Sequence, residues 1–61
     1  MTQKQLILQE TSECLHLAME DLIGHAGDLE SVGFTADGED IRQLVGQIES
    51  AIWKLRRRHR N

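Results

Sequence analysis

Apolar residues recur at a seven-residue spacing in two separate stretches of the chain. A period of seven keeps side chains on one stripe of an α-helix. The pattern therefore predicts two amphipathic helices, the first over residues 3–29 and the second over residues 39–59. The residues that carry the period are Leu8, Leu15, Leu22 and Leu29 in the first stretch and Ile41, Ile48 and Leu55 in the second.

The stretch between the two patterns, residues 30–38, is rich in residues that favour turns and helix caps. We expect this stretch to be the connecting loop. Thr35 or Asp37 would cap the second helix, because short polar side chains accept hydrogen bonds from the free N–H groups at a helix start. Phe34 is expected to cover the loop end of the resulting hairpin.

The apolar arcs are wide for a hairpin of two helices. At 100° per residue they cover roughly 160° of the first helix and about 120° of the second. Arcs of this width favour contact with two neighbours, one within the hairpin and one from another chain. Gly24 and Gly27 each cost a helix about 1 kcal/mol relative to alanine, so a bend or an early end of the first helix stays open as an alternative. The residues predicted to form the core or the dimer contact are Leu8, Leu15, Met19, Leu22, Leu29, Ile41, Leu44, Ile48, Ile52 and Leu55.

Length and composition indicate a single all-α domain that needs a partner. A chain of 61 residues with no proline and two aromatic residues suits continuous helix better than sheet. A lone core of this size supplies only about 3–5 kcal/mol unless disulfides, metals or oligomerisation assist. Cys14 is the single cysteine, so no disulfide can form within the chain, and the protein is expected to be cytoplasmic. We expect two hairpins to pair into a homodimeric four-helix bundle.

The net charge of −3 is the sum of two unlike parts. Residues 1–53 carry ten acidic and two basic side chains, a balance of −8, whereas residues 54–60 contribute five basic side chains. Clustered cations of this kind can neutralise phosphates, so nucleic-acid binding is an alternative function. Capping of the helix dipole and ion pairing within the fold would explain the same cluster. The residues of this alternative site are Lys54, Arg56, Arg57, Arg58 and Arg60.

Two exposed apolar side chains are candidates for contact with another protein. Trp53 lies about 140° from Ile48 on the second helix, on the polar side. Exposed aromatic residues are enriched at interface hot spots, and Trp53 could dock a partner together with Gly46 and Arg57. Alternatively, Trp53 lies in the dimer contact or stacks on Arg57.

On the first helix, Leu17 is an apolar residue on an acidic face with Glu13 and Glu20, which could engage a basic surface. The simpler alternative is an ordinary solvated helix face.

Nothing in the sequence indicates catalysis. It contains no glycine-rich phosphate loop or nucleophile elbow, and a two-helix hairpin offers no pocket of the usual size. His16 and Glu20 stand one helical turn apart, but two ligands do not make a zinc site. We expect no cofactor, no metal and no membrane partner. The interpretation we favour is a small non-enzymatic regulatory or adaptor protein that acts by stoichiometric contact with another protein.

In length, paired heptad helices and short loop the chain resembles the plasmid copy-number Rop-type proteins. Those proteins are helical hairpins that pair into antiparallel four-helix bundles and bind RNA loops. The resemblance supports the expected architecture, but it is confined to that plan. No RNA-contacting position of that family can be matched to a residue of this sequence, so no site follows from it.

Overall fold

The computed structural model describes the backbone of residues 2–60 and the side chains of residues 2–58. Two helices, α1 (Gln3–Ser31) and α2 (Thr35–Arg60), pack against each other as an antiparallel hairpin, which confirms the predicted all-α fold. The hairpin is elongated, with principal extents of 47 × 14 × 10 Å. Neither helix, over the described residues, is long and apolar enough to cross a membrane.

Helix α1 begins at a capping box. The Thr2 hydroxyl accepts a hydrogen bond from the Gln5 backbone N–H at 3.1 Å, and the Gln5 side-chain oxygen accepts one from the Thr2 N–H at 3.0 Å. These two bonds satisfy N–H groups that have no partner inside the helix. The helix then continues through Gly24 and Gly27 to Ser31, so the alternative of an early end is wrong.

The connection is three residues long, residues 32–34, and not nine as predicted. The Phe34 N–H donates to the Leu29 carbonyl at 2.9 Å and the Gly33 N–H to the Glu30 carbonyl at 3.2 Å. This pair of bonds is the Schellman motif, which needs a left-handed residue after the helix. Gly33 supplies that conformation with φ of +97°. The motif ends α1 and reverses the chain within a few residues.

Three predictions for the loop are therefore wrong. Helix α2 begins at Thr35, four residues earlier than predicted, and its first hydrogen bond runs from the Gly38 N–H to the Phe34 carbonyl at 3.0 Å. Thr35 and Asp37 thus lie inside the first turn and do not cap it. The positive end of the helix dipole nevertheless stabilises the negative charge of Asp37 there. Phe34 is 57% exposed and leaves the loop end uncovered.

The interior of the hairpin is thin. Its buried apolar residues are Ala26, Val45 and Ile52, and no large side chain among the described residues is completely buried. Leu44 is 42% exposed, so it is not a core residue of the single chain. The other predicted core residues besides Ile52 are half-buried, namely Leu8, Leu15, Met19, Leu22, Leu29, Ile41, Ile48 and Leu55.

The two helices approach each other closely at Gly38. A β-carbon built on this buried glycine would lie 2.5 Å from Cγ of Glu30 and 3.1 Å from the carbonyl oxygen of Ala26. Separations this small are below ordinary carbon contact distances. Gly38 therefore allows close helix packing and does not form a turn. Its residue type misled the prediction that it belongs to the loop.

An ion pair joins the helices beside this contact. Arg42 donates to both carboxylate oxygens of Glu30, from Nη2 at 2.6 Å and from Nε at 3.0 Å. These hydrogen bonds lower the pKa of Glu30 and raise the pKa of Arg42. The pair is partly exposed, so its stabilisation is screened by solvent and salt.

We predict that Gly38→Ala destabilises the fold by about 1 kcal/mol, because the new methyl group must displace Glu30 and crowd the α1 backbone. The matched control is Gly24→Ala, whose new methyl group meets no atom within 4 Å. That control should stabilise the helix by about 0.5–1 kcal/mol. Urea unfolding at one fixed protein concentration measures both. Equal stabilisation by the two substitutions would contradict the close approach.

We also predict a pH-dependent contribution from Glu30. Since its pKa is lowered in the folded state, the contribution is complete above the ordinary glutamate pKa of about 4.3 and is lost as pH falls through the lowered value. Urea midpoints measured from pH 7 down to pH 2 should therefore fall less steeply in Glu30→Gln than in the unmodified chain. Glu10→Gln, which removes a carboxylate that forms no ion pair among the described side chains, serves as control. Identical acid profiles for Glu30→Gln and the unmodified chain would contradict the prediction.

Candidate interaction surfaces

The hairpin has two unlike long sides, one on either side of the plane through the two helix axes. On α2, at 100° per residue, Leu44 lies about 90° to one side of the buried line through Val45 and Ile52. Trp53 lies about 90° to the other side of that line. On α1, Ala18 and His16 likewise lie on opposite sides of the line through Ala26. We call these the apolar side and the tryptophan side.

The contacts between the helices show which residues share a side. His16 of α1 and Trp53 of α2 line one depression between the helices, together with Arg56. Because the helices are antiparallel and face each other, residues rotated in the same direction from the buried line of their own helix lie on the same side of the hairpin. Ala18 and Leu44 therefore share the opposite side.

Apolar residues recur along the length of the apolar side, with exposed Thr11 and His25 between them on α1. Leu44 and Ile7 are exposed on it at 42% and 54%. Half-buried side chains fill the space between the helices, so their outer atoms extend the same surface. The residues of the apolar side are Ile7, Cys14, Ala18, Leu22 and Leu29 of α1 and Leu44, Ile48, Ala51 and Leu55 of α2.

The tryptophan side combines one large aromatic with charge. Trp53 is 55% exposed, in agreement with its predicted position outside the hairpin core. The Arg56 guanidinium lies 5.8 Å from the centre of the Trp53 ring, a cation–π distance. The predicted stacking of Trp53 on Arg57 is wrong, because Arg56, three positions after Trp53, lies over the ring. Gly46 is exposed, with open space around its α-carbon.

The back of α1 carries the second predicted patch. Leu17 is 65% exposed, and Glu13 and Glu20 are also exposed. The His16 imidazole contacts the Glu20 carboxylate at 3.1 Å, which engages one acid of this face. Leu17 also lines a depression with Glu13, His16 and Arg56. The acidic patch thus adjoins the tryptophan side across His16.

The predicted basic cluster lies at the open end of the hairpin, beside the start of α1. Lys4 and Arg58 line one depression there, so α1 adds a cation that the sequence analysis did not connect with the cluster. Among the described side chains, Lys54, Arg57 and Arg58 form no ion pair, so ion pairing there does not account for these three cations. Arg60 belongs to the predicted cluster, but its side chain lies outside the described residues.

The described side chains provide no grouping of three or more His, Cys, Asp or Glu residues that could hold a metal ion. Cys14 is exposed on the apolar side. The depressions described above are open to solvent along the groove between the helices. What this surface offers chemically is contact area: an apolar strip, an aromatic–cation pair and a basic end.

Comparison of the chain with protein-family models, with curated proteins and with solved structures finds no match.

Proposed function

We propose that this chain is a small non-enzymatic regulatory or adaptor protein. It acts as a homodimer of hairpins, and its activity is stoichiometric contact with another protein. The observation that carries the proposal is the separation of surfaces, with an uncovered apolar strip on one side and an exposed aromatic–cation pair on the other. The first suits self-association and the second suits a partner.

The surface area of the single chain supports the dimer. The accessible surface is 4727 Å² for a mass of 7.0 kDa, whereas a compact monomer of that mass exposes about 4,000 Å². The excess of roughly 700 Å² is close to the ~800 Å² per partner that a stable interface buries. A second hairpin laid on the apolar side would cover Leu44 and Ile7 and complete the shared interior.

The arrangement of Trp53 and Arg56 supports a protein as the partner. Trp53 lies about 180° around α2 from Leu44, so a dimer through the apolar side leaves the tryptophan accessible. Tryptophan and arginine are among the residue types enriched at interface hot spots. The adjoining acidic face around Leu17 would extend the contact and favour a partner surface with basic residues.

We predict that Leu44→Glu weakens self-association on the order of 100-fold or more, because dimer formation would bury an unpaired carboxylate. Leu17→Glu is the matched control, since it places the same charge on another exposed leucine at the back of α1. Sedimentation equilibrium together with circular dichroism over a concentration series measures association and helicity. The proposed dimer would be contradicted if the unmodified chain were monomeric or if both variants weakened self-association equally.

Partner class is tested with a tagged chain as bait in extracts from its own cells, with and without nuclease. We expect the bait to capture a protein that stays bound after nuclease treatment. The Trp53→Ala bait should not capture that protein, because the substitution removes the aromatic contact while the fold and dimer persist. A Lys4→Gln, Lys54→Gln double variant should retain that protein.

The reverse result would favour nucleic-acid binding at the open end, where Lys4 lies beside Arg58. In that case nuclease and the double variant would abolish capture, Trp53→Ala would not, and binding of the isolated nucleic acid would fall steeply with salt.

A further inference from the structure

The two ends of the hairpin carry opposite charge. The loop end, residues 28–42, holds five carboxylates and Arg42, a balance of −4. The open end combines residues 2–13 with residues 54–58 and holds five basic and two acidic side chains, a balance of +3. The acids at the loop end are Asp28, Glu30, Asp37, Glu39 and Asp40, and the cations at the open end are Lys4, Lys54, Arg56, Arg57 and Arg58.

These charges cannot neutralise each other within one chain. The long dimension of the hairpin is 47 Å, whereas charges in physiological salt are screened beyond about 8 Å. Only Glu30 and Arg42 are paired at the loop end among the described side chains, and the cations at the open end have no ion-pair partner there. Each end of the hairpin therefore presents charge that a second molecule could complement.

A pair of hairpins joined through their apolar sides has two possible two-fold arrangements. In one, both loops lie at the same end of the bundle and α1 lies on α2 of the other copy. In the second, the loops lie at opposite ends and each helix lies on its own symmetry mate. Neighbouring helices are antiparallel in both arrangements, so helix dipoles do not choose between them.

We propose that the dimer has its loops at opposite ends, with the acidic loop end of each copy beside the basic open end of the other. The inference rests on the proposed homodimer and specifies its geometry. The alternative would bring two loop ends together, placing a charge of −8 at one end of the bundle and +6 at the other. Such repulsion at both ends disfavours that arrangement.

The pairing also identifies a specific contact. Asp40 and Arg58 are both exposed and both lie about 130° from the buried line of α2, at the outer rim of the apolar side. The midpoint between them is residue 49, near the middle of α2. When α2 lies antiparallel on its symmetry mate, Asp40 of one copy comes beside Arg58 of the partner subunit. The two-fold axis generates this ion pair twice.

The first test is a distance between spin labels on the two copies. A Cys14→Ala, Val32→Cys chain carries one label per copy in the exposed loop and keeps the apolar side apolar. With loops at opposite ends, the labels should be separated by more than about 40 Å, close to the 47 Å length of the hairpin. A separation below about 25 Å, which follows from helices packed ~10 Å apart, would overturn the proposed arrangement and leave the dimer intact. A monomeric unmodified chain would instead overturn the proposed function.

A charge reversal tests the same geometry, because the proposed arrangement and the alternative predict opposite changes in dimer affinity. Asp40→Lys should weaken the dimer roughly 3- to 30-fold, as expected when two exposed ion pairs become repulsive. The Asp40→Lys, Arg58→Glu double variant should recover most of that loss. Glu13→Lys makes the same change in net charge at the back of α1, away from the apolar side, and should have little effect. Tighter association of Asp40→Lys would overturn the proposal, because it is the result expected when both acidic loop ends meet.

Discussion

The seam between two helices buries only the side chains that point along the line joining the helix axes. In this hairpin that line holds Ala26, Val45 and Ile52, while the flanking members of each heptad pattern are only half-covered. The apolar arcs are wider than the seam, so each helix keeps apolar surface that the other cannot reach. This limit of a two-helix fold is the physical basis of the proposed homodimer.

The loop end sets how closely the helices approach. The Schellman motif at Gly33 reverses the chain in three residues, and Gly38 then lets α2 lie directly against the α1 backbone. That approach places Arg42 within reach of both oxygens of Glu30. A turn, a close backbone contact and an ion pair thus reinforce one another over a short stretch at this end of the hairpin.

Under the proposed function, the two long sides would make two different kinds of contact. The apolar side is suited to permanent burial, since it holds few charges along its middle. The tryptophan side combines a flat aromatic surface with the Arg56 cation, which suits a contact that can form and dissociate. In the proposed dimer, the axial separation of charge would set the orientation of the two copies, because screening limits each charged end to neighbours in direct contact.

The sequence by itself determined the two helices, the all-α class and the exposure of Trp53 and Leu17, because helical periodicity is a local property of the chain. It did not determine the loop. Turn-forming residue types predicted nine residues, but hydrogen bonds from Gly33 and Phe34 to α1 carbonyls leave only three outside the helices.

Tertiary structure decided the packing role of Gly38, the pairing of Glu30 with Arg42, the position of Arg56 and not Arg57 over Trp53, and the exposure of Leu44. Each depends on the distance or rotation of one helix relative to the other or on a side-chain conformation. The distance and rotation are set by contacts between residues far apart in the chain, and the choice of Arg56 over Arg57 by side-chain conformation. The spacing of residue types along the chain contains neither.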